Sequence, residues 1–280
     1  MNKKIKVTVI IPTYNDSKHI IHSVNSVLNQ SFKDYEIIVI DDGSTDDTKS
    51  VLTSYVESGQ IIYLYQANSG QSIARNNGIN NSNGIYIAFI DSDDEWTDKD
   101  KLKKQVDFLN DNLDYVMVGT SGVITNESKI KIIDYIVPES DFSIRQSILI
   151  KNPFIQSSVV IRKNILIEVG LFPYREDINA EDYSLWLRLG LKGKFFNLIN
   201  PMTSYMLREG NTSSLKKKDI LKDNINLIKK YKNNYPNYRK SLLFAYGKFF
   251  IYCMISTISN TKIKNKILAF LYKQYRRLKI

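Results

Sequence analysis

A chain of 280 residues with 43% apolar and 24% charged residues suits one large globular domain, or one domain with an extension. Its net charge of +10 gathers after Lys216, where acids are few, which points to an anionic partner such as a membrane surface or nucleic acid, or to solubility alone. Cys253 is the sole cysteine and His19 and His22 the only histidines, which excludes a disulfide framework, a cysteine metal site and a multi-histidine zinc centre.

Residues 7–11 form an apolar run too short for a signal peptide. No stretch reaches 18 uncharged apolar residues; the nearest, residues 242–258, contains Lys248. A cytoplasmic protein is expected.

The run at 7–11 reads as a strand closed by Pro12-Thr13-Tyr14-Asn15. Asn15, Asp16 or Ser17 can cap the next helix, whose apolar face is Ile20, Ile21, Val24, Val27 and Leu28. His19 and His22 read as surface or edge residues on it. Residues 35–40 form a second buried strand ending in Asp41-Asp42-Gly43-Ser44, with Ser44 or Thr45 as cap of a helix reaching Val56. A strand at 61–65 and a helix at 71–79 lead to the most informative stretch. Residues 85–90 are six apolar residues without a break, as expected of a strand buried on both faces. The run stops at Asp91-Ser92-Asp93-Asp94-Glu95. Crowded carboxylates repel one another and are costly to desolvate, so they need compensation. A divalent cation is the simplest source, and a solvated turn with Asp98 or a neighbour as helix cap is the alternative.

A helix through Leu102, Val106, Phe108 and Leu109 and a strand at 115–118 continue the alternation. Strand and helix in turn imply a mostly parallel α/β sheet with helices on both faces. Ligands of such sheets bind beyond the strand carboxyl ends, so Asp42 and the 91–94 cluster are expected to share one crevice. Residues 120–151, with Pro138, read as an excursion over that crevice. A strand at 156–161, a helix opening at Ala180-Glu181-Asp182 with Leu185, Leu187 and Leu189, and strands at 195–199 and 203–207 follow. From Lys216 the pattern is helical, interrupted by Pro236.

The order Val9-Ile10-Ile11-Pro12-Thr13-Tyr14-Asn15, Asp41-Asp42-Gly43-Ser44, Ala74-Arg75-Asn76 with Gly78, Asp91-Ser92-Asp93-Asp94 and Glu181-Asp182 resembles glycosyltransferase family 2. The resemblance covers about three-quarters of the chain. It implies a GT-A (Rossmann-like) fold and an inverting, metal-dependent transferase that uses a nucleotide-diphosphate sugar. It assigns residues 1–119 to the nucleotide-sugar-binding part and 120–215 to the acceptor-binding part of a catalytic domain, followed by a basic, mostly helical extension at 216–280. Asp93 is then the metal ligand for Mn2+ or Mg2+, with Asp94 at the metal or donor sugar. Asp91 falls at the ribose or behind the metal ligands, Ser92 in the donor-nucleotide site, Arg75 at the pyrophosphate, and Asp42 at the imide N–H of uracil or thymine, with Asp41 bracing the loop. Pro12, Thr13 and Tyr14 belong to the base-binding loop, although Tyr14 is equally suited to the core. Asp182 is the catalytic base. Glu181, Gln156, Trp186 and Arg208 are candidates for acceptor or donor-sugar contacts, and residues 120–151 for acceptor specificity.

Two departures stand out. The stretch around Tyr205-Met206-Leu207-Arg208-Glu209 lacks the histidine many relatives carry at the metal or diphosphate, leaving Arg208 or Glu209 to serve there. The Gln-x-x-Arg-Trp signature of processive synthases is also absent, which implies one or a few sugars per acceptor. The expected acceptor is a saccharide or lipid-linked saccharide of bacterial-type surface polysaccharide or glycoconjugate synthesis. The basic, apolar residues from Ser241 onward suit either an anionic membrane surface on the inner face of the cell membrane or packing on the catalytic domain or a second subunit in a homo-oligomer. Nothing reads as nucleic-acid recognition. The alternatives are a catalytically silent scaffold of the same fold and a nucleotidyltransferase; the latter usually shows a Gly-rich loop after the first strand, where Pro12-Thr13-Tyr14-Asn15 stands here.

Overall fold

The computed structural model describes residues 5–174, 178–208 and 216–256. Apolar, largely β-branched runs form strands β1 (Val7–Thr13), β2 (Tyr35–Asp41) and β4 (Tyr86–Phe89), with β3 (Ile62–Tyr65) at the edge. β1 pairs in parallel with both β2 and β4, and β2 with β3. The register sets Thr13 beside Asp41 and Ile10 beside Phe89, so Pro12–Tyr14, Asp41–Asp42 and Asp91–Asp93 emerge along one edge. Side chains alternate faces along each strand. Val9, Ile11, Ile37, Val39 and Ala88 pack with α1 (Ile20–Leu28), α2 (Thr48–Glu57) and α4 (Lys101–Asp111). Ile10, Ile38, Ile40, Ile87 and Phe89 pack with α3 (Gln71–Asn80) and α7 (Glu181–Leu189) on the other face. A Cβ at Gly78 would lie 2.7 Å from Ile10 Cγ2, so glycine is what lets α3 lie this close to β1.

The parallel arrangement holds for β3-β2-β1-β4 and then changes. β8 (Val160–Arg162) lies antiparallel between β4 and β6 (Tyr115–Thr125), and β6 runs parallel to β9 (Lys194–Met206). β5 (Glu95–Trp96) completes the order β3-β2-β1-β4-β8-β6-β9-β5, and β7 (Lys131–Tyr135) pairs with β6. The 120–151 stretch is thus the end of β6, the β6–β7 hairpin and α5 (Asp141–Ser147), capped by the Ser140 hydroxyl.

Several local expectations change. Ile85 is 42% exposed, and the strand begins one residue later. Gln156–Ser158 is a 3-10 turn, and β8 starts only at Val160, followed by α6 (Lys163–Glu168). The two late strands are one, β9, whose register against β6 slips beside Pro201, a residue with no ladder N–H to give. None of the expected caps serves α1 or α2. Instead Asn15 N–H donates to Ser44 Oγ (2.9 Å) and Thr45 N–H to Asn15 Oδ1 (2.7 Å), so these polar residues clasp the two loops together.

α8 (Lys217–Lys230) and α9 (Tyr238–Ser256) lie either side of Pro236. Ile225, Leu227, Ile228, Tyr231, Tyr235 and Ala245 join the core cluster of α7, so these two helices pack on the body that holds the sheet. The basic residues from Lys262 to Lys279 lie outside the described residues. No helix among the described residues is long and apolar enough to cross a membrane.

Candidate active site

A cleft of about 1030 Å³ opens at the carboxyl ends of β1, β2 and β4. Asp42 and the acidic turn share it, as expected. Pro12, Thr13, Tyr14, Arg75, Asp91, Ser92 and Asp93 line one part, and Gln156, Glu181, Asp182 and Arg208 also line it. Tyr14 is 51% exposed, so its ring belongs to the cleft and not to the core.

Two predicted residues fall elsewhere. Trp186 is fully buried on the inward face of α7, edge-on to Phe154, and forms core instead of an acceptor contact. Asp94 is 1% exposed and does not line the cleft. Its Oδ1 accepts the Met206 N–H at 2.9 Å and its Oδ2 the Ser157 hydroxyl, so the side chain expected at the metal or donor sugar instead ties the turn to β9 and the 3-10 turn. Burial, with Asp93 and Asp91 nearby, pushes its carboxyl well above the usual range.

The turn is held from below. Ser23 Oγ donates within 2.6 Å of the Ser92 and Asp94 carbonyls. Asp93 accepts Arg208 Nε at 2.9 Å. Burial and the charge of Asp91 nevertheless raise Asp93 to about 6, against the pull of Arg208. Arg208 also reaches Asp16 Oδ1 (3.0 Å), while Asp16 Oδ2 accepts the Ser92 hydroxyl at 2.6 Å. Arg208 thus bridges Asp93 and Asp16 at the acidic turn; Glu209 lies outside the described residues.

Both aspartates after β2 brace loops. Asp41 accepts the Ser44 N–H (2.7 Å) and the Tyr63 hydroxyl (2.6 Å). Asp42 accepts Gln66 Nε2, the Ser69 N–H and the Gly70 N–H, each at 2.8 Å. Gly70 has φ +91°, a conformation glycine adopts without strain, and it aims that N–H at Asp42 as α3 begins.

Arg75 links the two halves. It is 2% exposed, donates to Asp91 Oδ1 at 2.7 Å, approaches Glu181 Oε1 at 3.4 Å and lies over the Phe172 ring. Burial works against its charge, but Asp91 and Glu181 hold it protonated. Its Nε has no hydrogen-bond partner among the described residues. Gln71, one turn earlier on α3, bonds both Arg75 (3.2 Å) and Glu181 (2.9 Å). Burial and the neighbouring Asp182 raise Glu181 to about 7. Half-buried Asp182 accepts Asn152 Nδ2 (2.9 Å) and the Tyr183 N–H (2.6 Å), and burial moves its carboxyl upward. Both amide atoms of the cleft-lining Gln156 are buried without a partner among the described residues. A buried polar side chain left unsatisfied in a cleft is ready for a ligand.

Sequence reasoning missed Asp16, Gln71, Asn152 and Ser157. Gln71 alone carried a usable signal, its one-turn spacing from Arg75 on a helix.

A mixed sheet of this topology, with a carboxylate-lined cleft at its parallel end, is the GT-A architecture. S. aureus TarS 1–349, solved in complex with UDP-GlcNAc, shares the fold at a TM-score of 0.71 and 20% identity, covering 92% of this chain and 77% of that one. E. coli WfaP, a UDP-Glc:alpha-D-GlcNAc-diphosphoundecaprenol beta-1,3-glucosyltransferase, is 33% identical over 230 residues, 80% of this chain and 85% of that protein. An uncharacterized glycosyltransferase of Rickettsia bellii is 30% identical over 263 residues, 92% of this chain and 36% of its own length; the chain spans about a third of the Rickettsia relatives it matches. Residues 8–172 match the model of Glycosyl transferase family 2. The chain belongs to that family.

Proposed function

We propose that this protein moves a sugar, with inversion, from a UDP-sugar, with dTDP-sugars the second choice, to a lipid-linked saccharide in surface polysaccharide or glycoconjugate synthesis. The observation that carries the proposal is the Asp91–Arg75–Glu181 bridge, which sets a buried guanidinium in the same cleft as the half-buried Asp182. The substrates in WfaP's name, UDP-Glc and a diphosphoundecaprenol-linked GlcNAc, support the donor and acceptor classes.

In this reading the uracil lies against Tyr14, and Asp42, with three bonds already made, keeps one acceptor direction for the base imide. Arg75 faces the diphosphate, which a planar guanidinium suits. Asp182 removes the proton of the acceptor hydroxyl as its oxygen attacks the anomeric carbon, and the bond from that carbon to the diphosphate breaks on the opposite side. Asn152 and the Tyr183 N–H fix the carboxylate's direction, and its upward-shifted pKa moves it toward the working pH. Gln156, with its amide unpartnered, is assigned to a sugar hydroxyl.

Asp91 and Asp93 fit a hard divalent cation, manganese or magnesium, because both offer carboxylate oxygens to the cleft and the repulsion that raises Asp93 is what a cation relieves. Among the described residues no cluster of three or more His, Cys, Asp or Glu surrounds such an ion, so Asp93 with Asp91 would hold it together with phosphate oxygens and water. When bound, it would neutralise charge on the leaving diphosphate. A lipid-linked acceptor puts the working enzyme at the inner membrane surface, where the positive charge after Lys216 aids binding.

The test is transfer from a panel of UDP-, dTDP- and GDP-sugars to a synthetic GlcNAc-diphospholipid, with the product's anomeric configuration read by NMR. An inverted linkage is expected. A retained linkage, or donors consumed only from the GDP series, contradicts the proposal.

A further inference from the structure

Beyond Asp182 the cleft changes character. The donor part is lined by Asp42, Asp91, Asp93 and Glu181, whereas the branch between the segment after α5 and helices α8 and α9 is apolar and basic. Leu149, Leu221 and Ile228 form apolar walls, and Lys151 and Lys248 enter from opposite elements. Lys151 Nζ lies 4.7 Å from the centre of the Tyr135 ring and makes no ion pair among the described residues. Lys248 Nζ reaches the Ile150 carbonyl at 3.5 Å. Burial lowers both lysines, and the charge of Lys151 lowers Lys248 further. Two half-buried lysines close enough to feel each other's charge make this branch electropositive, and an anion entering it would relieve their repulsion. Lys151 also adjoins Asn152, whose amide holds Asp182, which ties this branch to the acceptor side.

We propose that Lys151 and Lys248 form an anion subsite for a phosphate or diphosphate group on the acceptor, with the apolar walls receiving the start of its lipid chain. The inference rests on the reading that Asp182 works on an acceptor held in this branch, and it names what that acceptor carries. The two lysines hold the anion while the sugar hydroxyl meets Asp182.

The test is calorimetric titration of decyl diphosphate into full-length protein saturated with UDP, so that the donor site is occupied, with inorganic pyrophosphate and decanol as parallel probes. Decyl diphosphate is expected to bind the wild type and to bind the Lys151→Gln/Lys248→Gln variant about tenfold or more weakly, in keeping with loss of charged hydrogen bonds. The Lys151→Arg/Lys248→Arg variant should retain binding, which separates lost charge from lost fold. Pyrophosphate binding as tightly as decyl diphosphate, and equally dependent on the lysines, assigns the same anion site to free phosphates instead of a lipid headgroup. Equal affinity of the Gln variant and the wild type for decyl diphosphate, or no binding to UDP-loaded wild type, overturns the subsite. UDP binding is measured in the same cell, so failure of the donor reading appears separately, as loss of the first titration.

Discussion

Replacing Asp182 by Asn separates chemistry from binding at one atom. The carboxylate accepts two bonds, from Asn152 Nδ2 at 2.9 Å and from the Tyr183 N–H at 2.6 Å. An amide has one oxygen, so one of these contacts becomes donor against donor. Asn152 can answer by flipping, at the expense of the Phe154 N–H that its Oδ1 accepts at 3.2 Å. The lost bond costs about 1 kcal/mol of stability. The lost base costs far more, because general-base catalysis contributes roughly 10²–10⁴ in rate, or about 3–5 kcal/mol of barrier. The variant should therefore fold, bind UDP within about threefold of the wild type (under 1 kcal/mol) and transfer at a hundredth of the wild-type rate or less. Wild-type kcat should also rise with pH through a pKa above the ordinary aspartate range, since burial raises Asp182 and only its deprotonated form takes a proton. Single-turnover assays across pH read both quantities. Turnover within tenfold of the wild type, or an unchanged acid limb in residual activity, removes Asp182 from the role of base.

Removing Arg75 as Met leaves the half-buried Asp91 and Glu181 without their cation; breaking a fully buried pair from one side costs about 3–5 kcal/mol, and the partial exposure here puts the expected loss toward the lower end of that range. Urea unfolding should show that loss, with UDP binding weakened in the molecules that remain folded. Glu181 is raised from 4.5 to about 7 in the fold, so the folded state holds its proton where the unfolded chain has lost it. Its contribution to stability is full below pH 4.5 and disappears as pH rises toward 7, and Glu181→Gln should flatten the fall of Tm across that window. Asp94 is bonded to Ser157 and the Met206 N–H and lies off the cleft lining, so Asp94→Asn should leave manganese-dependent UDP binding within about threefold, whereas Asp93→Asn should weaken it by about tenfold or more. Equal losses in the two variants would return Asp94 to the metal site.

The parallel half of the fold was legible because its signals are local. Largely apolar runs of five or six residues, the second and third of them ending in acids and all separated by periodic helices, mark out β1, β2, β4 and the crevice they share. The second half was less legible because long-range pairing decides it. Gln156–Ser158 runs straight into Val159, Val160 and Ile161 and so reads as the start of a strand, but Ser157 turns inward to meet Asp91 N–H and Asp94, and Ser158 Oγ bonds the Ile155 carbonyl, so the backbone curls before β8. The site divides the same way. Arg75 and Asp182 were readable from motif and order. Asp16 was not, since an aspartate after a strand reads as a helix cap, and only the fold brings Arg208 and Ser92 to it across more than 70 positions. Trp186 misled because α7 is apolar on most of its circumference, so its inward face cannot be told from one line of sequence.

The most direct measurement is calorimetric binding of UDP, with TDP and GDP as comparators, each with and without manganese. UDP is expected to bind tightest, TDP next, both more tightly with manganese, and both to weaken in Asp93→Ala and Arg75→Met. Absence of binding by any of the three nucleotides, or a preference for GDP that Asp93→Ala leaves untouched, would contradict the donor site built here from Asp42, Arg75, Asp91 and Asp93.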